Sequence, residues 1–171
     1  IEVGEAFVDP ATGQTIVPIV NENLTDGHAR GAEALVTFTP YDTWRLSASY
    51  SFLDIDLDST GLDVNRSEFY EGPTARHQFA LGSYLTLPGG LELDAHFRHH
   101  SEIRRLPEVP TGEGIPGYSE LDVRFSWPVS EQIRMSLVGQ SLLHSRHIEW
   151  GGPEGRGEIE RSVYMRFELD L

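Results

Sequence analysis

Along most of its length this chain alternates apolar and polar residues with a repeat of two. Successive side chains leave opposite faces of a strand, whereas a helix repeats near 3.6 residues, so the period alone predicts sheet. Trp44, Leu46, Ala48, Tyr50 and Phe52 fall on one face, with Arg45, Ser47, Ser49 and Ser51 on the other. Val163, Met165, Phe167, Leu169 and Leu171 oppose Tyr164, Arg166, Glu168 and Asp170. Leu91, Leu93, Ala95 and Phe97 oppose Glu92, Asp94, His96 and Arg98, and Leu121, Val123, Phe125 and Trp127 oppose Glu120, Asp122, Arg124 and Ser126. Ile133 to Gln140 keeps the pattern except at Val138. Phe79, Leu81 and Leu85 keep it less sharply, and Arg30 to Thr39 keeps it except at Leu35.

The connections alternate in length. Pro40 to Thr43, Pro88 to Gly90 and Pro128 to Glu131 are short turns built on Pro or Gly. Asp54 to Pro73, Ser101 to Pro116 and Leu143 to Glu160 are long and polar. The fold class expected is all-β, an antiparallel up-and-down transmembrane β-barrel segment of about 7–8 strands. In that layout the short turns face the periplasm and the long loops face outside, so the C-terminus falls on the periplasmic side. Residues 1–27 read as an external loop with a small hairpin around Asp9-Pro10-Ala11-Thr12-Gly13.

Alternation does not say which solvent meets the apolar face. A soluble barrel hides it; a membrane barrel turns it to lipid. Strands of about ten residues suit a tilted membrane wall. Aromatics stand near the ends of the apolar face, Trp44 and Trp127 beside short turns and Tyr50, Phe52 and Phe97 toward long loops, as in membrane-girdle belts. Slipping the last strand by one residue would aim Arg166, Glu168 and Asp170 at lipid, so register is strongly specified.

Composition narrows the partners. The net charge of −14 comes from 27 acidic and 13 basic residues, all of the latter arginine, which argues against nucleic acid. With no cysteine there is neither a disulfide nor a thiolate metal site. No run of about 18 apolar residues marks a membrane helix. No signal peptide is visible at the N-terminal end of the sequence, and the chain reads as a fragment or a processed product.

Several motifs resemble TonB-dependent outer-membrane receptors. Ala29-Arg30-Gly31-Ala32-Glu33 is similar to the opening of a late barrel strand in that family. After Pro40 comes Trp44-Arg45-Leu46-Ser47-Ala48-Ser49-Tyr50-Ser51-Phe52-Leu53-Asp54, which resembles its W-x-L-x-A-S-Y-S-Y-L-D run. Pro73 with Arg76-His77-Gln78, Tyr118-Ser119-Glu120-Leu121-Asp122-Val123-Arg124, and Gly139-Gln140-Ser141-Leu142-Leu143 with His147 and Glu149 follow in family order, before Arg161-Ser162-Val163-Tyr164 opens the last strand. Ser141 stands where the family usually has Asn, and Leu171 where an aromatic usually ends the barrel. The resemblance implies the C-terminal part of a barrel of about 22 strands, whose plug domain and N-terminal strands are absent here. It implies uptake of a scarce ligand such as a ferric siderophore or cobalamin, energised through TonB. The implied partners are outer-membrane lipid, the TonB complex via the missing N-terminal part, the barrel assembly machinery via the last strand, and a small-molecule ligand. The location implied is the outer membrane of a Gram-negative bacterium.

Candidate ligand-binding residues are Arg98 and Arg124 on the lumen wall and Arg104 and Arg105 in a loop, where guanidinium groups could meet an anionic chelate. Pairing with nearby acids is the competing reading. His96 and His100 share a strand face and could cooperate, whereas His99 points away; plain wall polarity is the alternative. His147 with Glu149 suits a loop-anchoring hydrogen bond. Asp56, Asp58 and Asp63 lack EF-hand spacing and read as a solvated loop. The glycines from Gly151 to Gly157 open no helix and form no phosphate cradle. No Gly-x-Ser-x-Gly and no Ser/His/Asp set points to an enzyme, and neither a cofactor nor a metal is expected. The rival readings are a free-standing eight-stranded barrel with a structural or adhesion role, which must pair its first and last strands, and a soluble β-domain with an apolar interior.

Overall fold

The computed structural model describes residues 2–20, 25–59, 74–104, 114–150 and 157–170. Four two-residue strands come first: β1 (Glu2–Val3), β2 (Phe7–Val8), β3 (Thr15–Ile16) and β4 (Ile19–Val20). They nest antiparallel, β2 on β3 and β1 on β4. Asp9 holds the turn between β2 and β3, accepting from the Ala11 backbone at 2.9 Å and from the Thr12 hydroxyl at 2.7 Å.

Seven longer strands follow: β5 (Thr25–Tyr41), β6 (Trp44–Ser59), β7 (His77–Leu87), β8 (Leu91–His100), β9 (Tyr118–Pro128), β10 (Ile133–Gln140) and β13 (Ser162–Leu169). Between the last two lies a hairpin, β11 (Arg146–Trp150) with β12 (Gly157–Glu160). The sheet order is β13-β10-β9-β8-β7-β6-β5, antiparallel throughout, an up-and-down meander.

Local chemistry explains the short connections. Pro40 sits at the register shift between Phe38 and Tyr41, a position that needs no ladder donor. Gly89 (φ 80°) and Gly90 (φ 75°) take the left-handed conformation that turns β7 into β8. Ser130 closes the β9–β10 turn by accepting from the Ile133 amide at 3.1 Å.

The two faces meet different media. Among the described residues the buried hydrophobic side chains are Ala75 and Ile115, neither of them in these strands. Phe167, Leu137, Leu93 and Phe125 are instead 66%, 45%, 37% and 37% exposed. The fully buried side chains are polar: Glu120, Ser126 and Ser136, the two serines sharing a 2.8 Å hydrogen bond across β9 and β10. A water-soluble sandwich or barrel would invert this distribution, since apolar burial drives its folding. Trp44 satisfies its indole N–H on the apolar face through Ser83 Oγ at 3.0 Å.

Two loop expectations change. The polar stretch from Asp54 is not all loop: β6 continues to Ser59 against β5 down to Thr25. The alternation continues there with its phase inverted: Ile55 and Leu57 are half-buried, whereas Asp56 and Asp58 are exposed. Past the apolar band the outward face meets water, so acids occupy the positions that aromatics hold further down. Asp56 and Asp58 are therefore strand residues, paired across to His28 and Asp26. The stretch Leu143 to Glu160 likewise contains the β11–β12 hairpin.

One close approach shapes the polar face. Gly82 lies opposite Ser47 and His96, and a Cβ there would fall 2.5 Å from Ser47 Oγ and 3.0 Å from the Tyr84 ring. The bare backbone lets Tyr84 lie across Gly82 and share a hydrogen bond with His96 Nε2. Gly82→Leu is expected to destabilise the sheet by about 1–3 kcal/mol through overpacking, read as a lower midpoint of urea unfolding in lipid vesicles.

Candidate functional site

The polar face carries two charge networks. Toward the short-turn end, Arg124 on β9 donates from Nε to Asp94 at 2.8 Å and from Nη2 to Glu92 at 3.1 Å, both on β8. Arg134 on β10 reaches the same Glu92 at 3.2 Å. The register that opposes Asp94 to Arg124 makes this pairing automatic. Arg45 stands apart, stacking over the Tyr84 ring at 4.4 Å.

Toward the long-loop end, Arg98 donates to Asp122 at 2.9 Å and to Glu149 of the hairpin at 3.1 Å. Asp122 also accepts from the Ser141 amide at 2.8 Å, and Ser141 has φ of 52°. That left-handed residue ends β10 and bends the chain over the polar face, a conformation Asn tolerates better than Ser. Glu120, fully buried, accepts from the Leu143 amide at 3.2 Å and from His144 Nδ1 at 2.7 Å.

His147 completes the arrangement. Its side chain is 6% exposed and packs on the Tyr118 ring, 4.7 Å between centroids, while Tyr118 stacks on His100. Its Nε2 donates to Glu149 at 2.7 Å. Its Nδ1 lies 3.1 Å from Glu120 Oε1 but off the line of a hydrogen bond, and it has no hydrogen-bond partner. Burial pushes the Glu149 carboxyl up, but the hydrogen bonds from His147 and Arg98 outweigh it and hold it below the usual carboxylate range. The β11–β12 hairpin is thus fastened to the polar face by buried and half-buried charge.

The candidate residues fall as follows. Arg98 and Arg124 each already hold two carboxylates. Arg104 pairs with Glu102 at 3.3 Å, both well exposed, and Arg105 lies outside the described residues, as does Asp63. His96 and His100 share the polar face without meeting: one bonds Tyr84, the other stacks on Tyr118. His99 points the other way and bonds Ser119 Oγ at 2.9 Å. No group of three His, Asp or Glu among the described residues is arranged to hold a metal ion. Trp44, Tyr50, Phe52, Phe97 and Trp127 lie on the apolar face, Tyr50 and Phe52 against His77 at its long-loop end and Phe97 further in, level with Leu81 and Leu121. Sequence reasoning missed Glu120 as a hub and Tyr84 as the polar-face aromatic. The signal for Tyr84 is its place two residues after Gly82 in a polar-face register.

An exposed apolar face, a charge-paired polar face and alternating short and long connections define the wall of an antiparallel transmembrane β-barrel. Solved structures agree. The sheet superposes on the ferric-catecholate import receptor Fiu of E. coli K12 with a TM-score of 0.68 at 16% identity, over 96% of this chain and 23% of that one. The ferric yersiniabactin uptake receptor FyuA of Yersinia pestis gives 0.69 at 17% identity, over 87% and 24%. The siderophore receptor PiuA of Acinetobacter baumannii gives 0.67 at 18%, over 86% and 22%. The chain spans about a quarter of the length of these receptors. No family model and no curated protein matches it. Its fold is that of a barrel segment of outer-membrane siderophore receptors, with the sheet left unclosed.

Proposed function

We propose that this chain is the C-terminal wall of a TonB-dependent receptor in the outer membrane of a Gram-negative bacterium. The receptor takes up a scarce ligand, a ferric siderophore, cobalamin or similar, with energy coupled through TonB. The observation that carries the reading is the exposed apolar face along seven meandering strands whose fully buried side chains are polar. In this reading the short turns and the C-terminus face the periplasm, the nested strands β1 to β4 belong to an external loop that ends before β5 begins at Thr25, earlier than the sequence boundary at residue 27, and the barrel assembly machinery engages β13. Arg98 and Arg124 meet ligand only by exchanging a carboxylate they now hold, which gives them a wall-stabilising role first. A free-standing eight-stranded barrel requires closure, but β5 and β13 lie at opposite edges with no ladder between them among the described residues.

The test is transport by the source bacterium with the complete reading frame deleted and restored. Under iron limitation, a panel of radiolabelled ferric chelates and labelled cobalamin is offered, with and without a protonophore. Protonophore-sensitive uptake of one compound, lost on deletion, supports the reading. Unchanged uptake of the whole panel counts against it.

A further inference from the structure

The β11–β12 hairpin leans over the polar face and is held there by one imidazole between two carboxylates. We propose that His147 makes this hairpin a proton-operated latch, fastened when the ring carries both protons and loosened when it loses one. Glu149 faces Nε2 at 2.7 Å and Glu120 faces Nδ1 at 3.1 Å, on opposite edges of a ring that is almost wholly buried. A neutral imidazole has one donor and one acceptor. Whichever nitrogen keeps the proton, the other turns a lone pair toward a carboxylate oxygen. Only the doubly protonated ring turns an N–H toward both carboxylates, a hydrogen bond to Glu149 and a charge contact, off the hydrogen-bond line, to Glu120.

The surroundings fit this role. His100 and Arg98 on β8, and Tyr118, Glu120 and Asp122 on β9, face the latch from the wall. His144 and Glu149 face it from the hairpin side. Arg98 is divided between Asp122 and Glu149, so it neutralises Glu149 only in part. His144 shares the same Glu120 oxygen but is half-exposed, so water can replace its contact. Tyr118 shields His147 from water, which leaves the proton as the species that can relieve its unpartnered nitrogen. The latch stands on this local geometry and does not depend on the cargo.

This chain contains no cysteine, so one introduced here is its single labelling site, and any cysteine elsewhere in the whole protein is first replaced by serine. Glu160→Cys places it on an exposed position of β12 outside the latch. The whole protein, in outer-membrane vesicles of the source bacterium, is examined by electron paramagnetic resonance at about pH 5.5 and about pH 8.5. The mobile fraction is expected to rise roughly tenfold at the higher pH. His147→Gln, which cannot titrate, abolishes that change, and Glu149→Gln diminishes it; His144→Gln retains it. Heat-modifiable migration checks that each variant keeps its barrel. Equal mobility at both pH values, greater mobility at the lower one, or an unaltered pH response in both His147→Gln and Glu149→Gln overturns the latch.

Discussion

Phe125→Arg will cost the barrel about 2–4 kcal/mol, because it sets a guanidinium against hydrocarbon near the middle of the wall. Phe125 lies between Leu93 and Leu137 on the apolar face and stacks with Trp127 at 5.7 Å. Arginine there loses that stack and has no carboxylate within the outward-facing row. Gln140→Arg makes the complementary experiment, since position 140 is exposed on the polar face. Its effect should stay within about 0.5 kcal/mol. Urea unfolding of the whole protein in phosphatidylcholine vesicles reads both. Equal effects at the two positions would mean that lipid does not cover the apolar face.

Glu120→Ala should remove roughly 3 kcal/mol from the attachment of the hairpin. A fully buried carboxylate here meets the Leu143 amide, His144 and the unpartnered edge of His147. Truncation strands those groups without supplying water to the ones that are buried. Glu120→Gln should recover about half of the loss. Its amide oxygen still accepts from the backbone, and its amide N–H can donate to His147 Nδ1. Protease sensitivity of the hairpin at neutral pH measures both. Alanine and glutamine variants with equal sensitivity would show that shape, and not hydrogen bonding, holds the hairpin.

Acid should also act through Glu149. A carboxyl held low in the folded state contributes stability that is complete above its unfolded value near pH ~4.3 and is lost as pH falls through the folded value. Hairpin protection from protease should therefore persist in mild acid and fail only well below that point.

Much of the fold was legible because one face had to be apolar along every crossing. Parity alone placed Leu93, Phe125 and Phe167 on one face, while Pro and Gly marked the short connections, with Gly89 in the turn and Pro40 and Pro128 in the strand ends beside it. The end of β6 was not legible, since an inverted phase at Asp54, Asp56 and Asp58 looks like a loop unless the change of solvent is anticipated. The site was less legible still. Arg98, Asp122 and Glu149 are 24 to 51 residues apart, and only strand register and a folded-back hairpin bring them together. Parity put Arg98 and Arg124 on the right wall, but it could not show that each already held two acids. Glu120 resembled any other polar-face acid until the bend at Ser141 carried His144 and His147 onto it.

The extension of the β5–β6 ribbon has a mechanical meaning. The ladder between β6 and β7 stops at Phe52 and His77, whereas β5 and β6 stay paired up to Ser59. Seven further residues at about 3.4 Å each carry the end of that ribbon about 24 Å along its axis. Among the described residues this two-stranded extension, tied near its base by Arg30 and Arg76 to Asp54, runs past the end of the β6–β7 ladder. Its exposed Asp56 and Asp58 therefore lie beyond the reach of the β7 ladder and give that extension an acidic face.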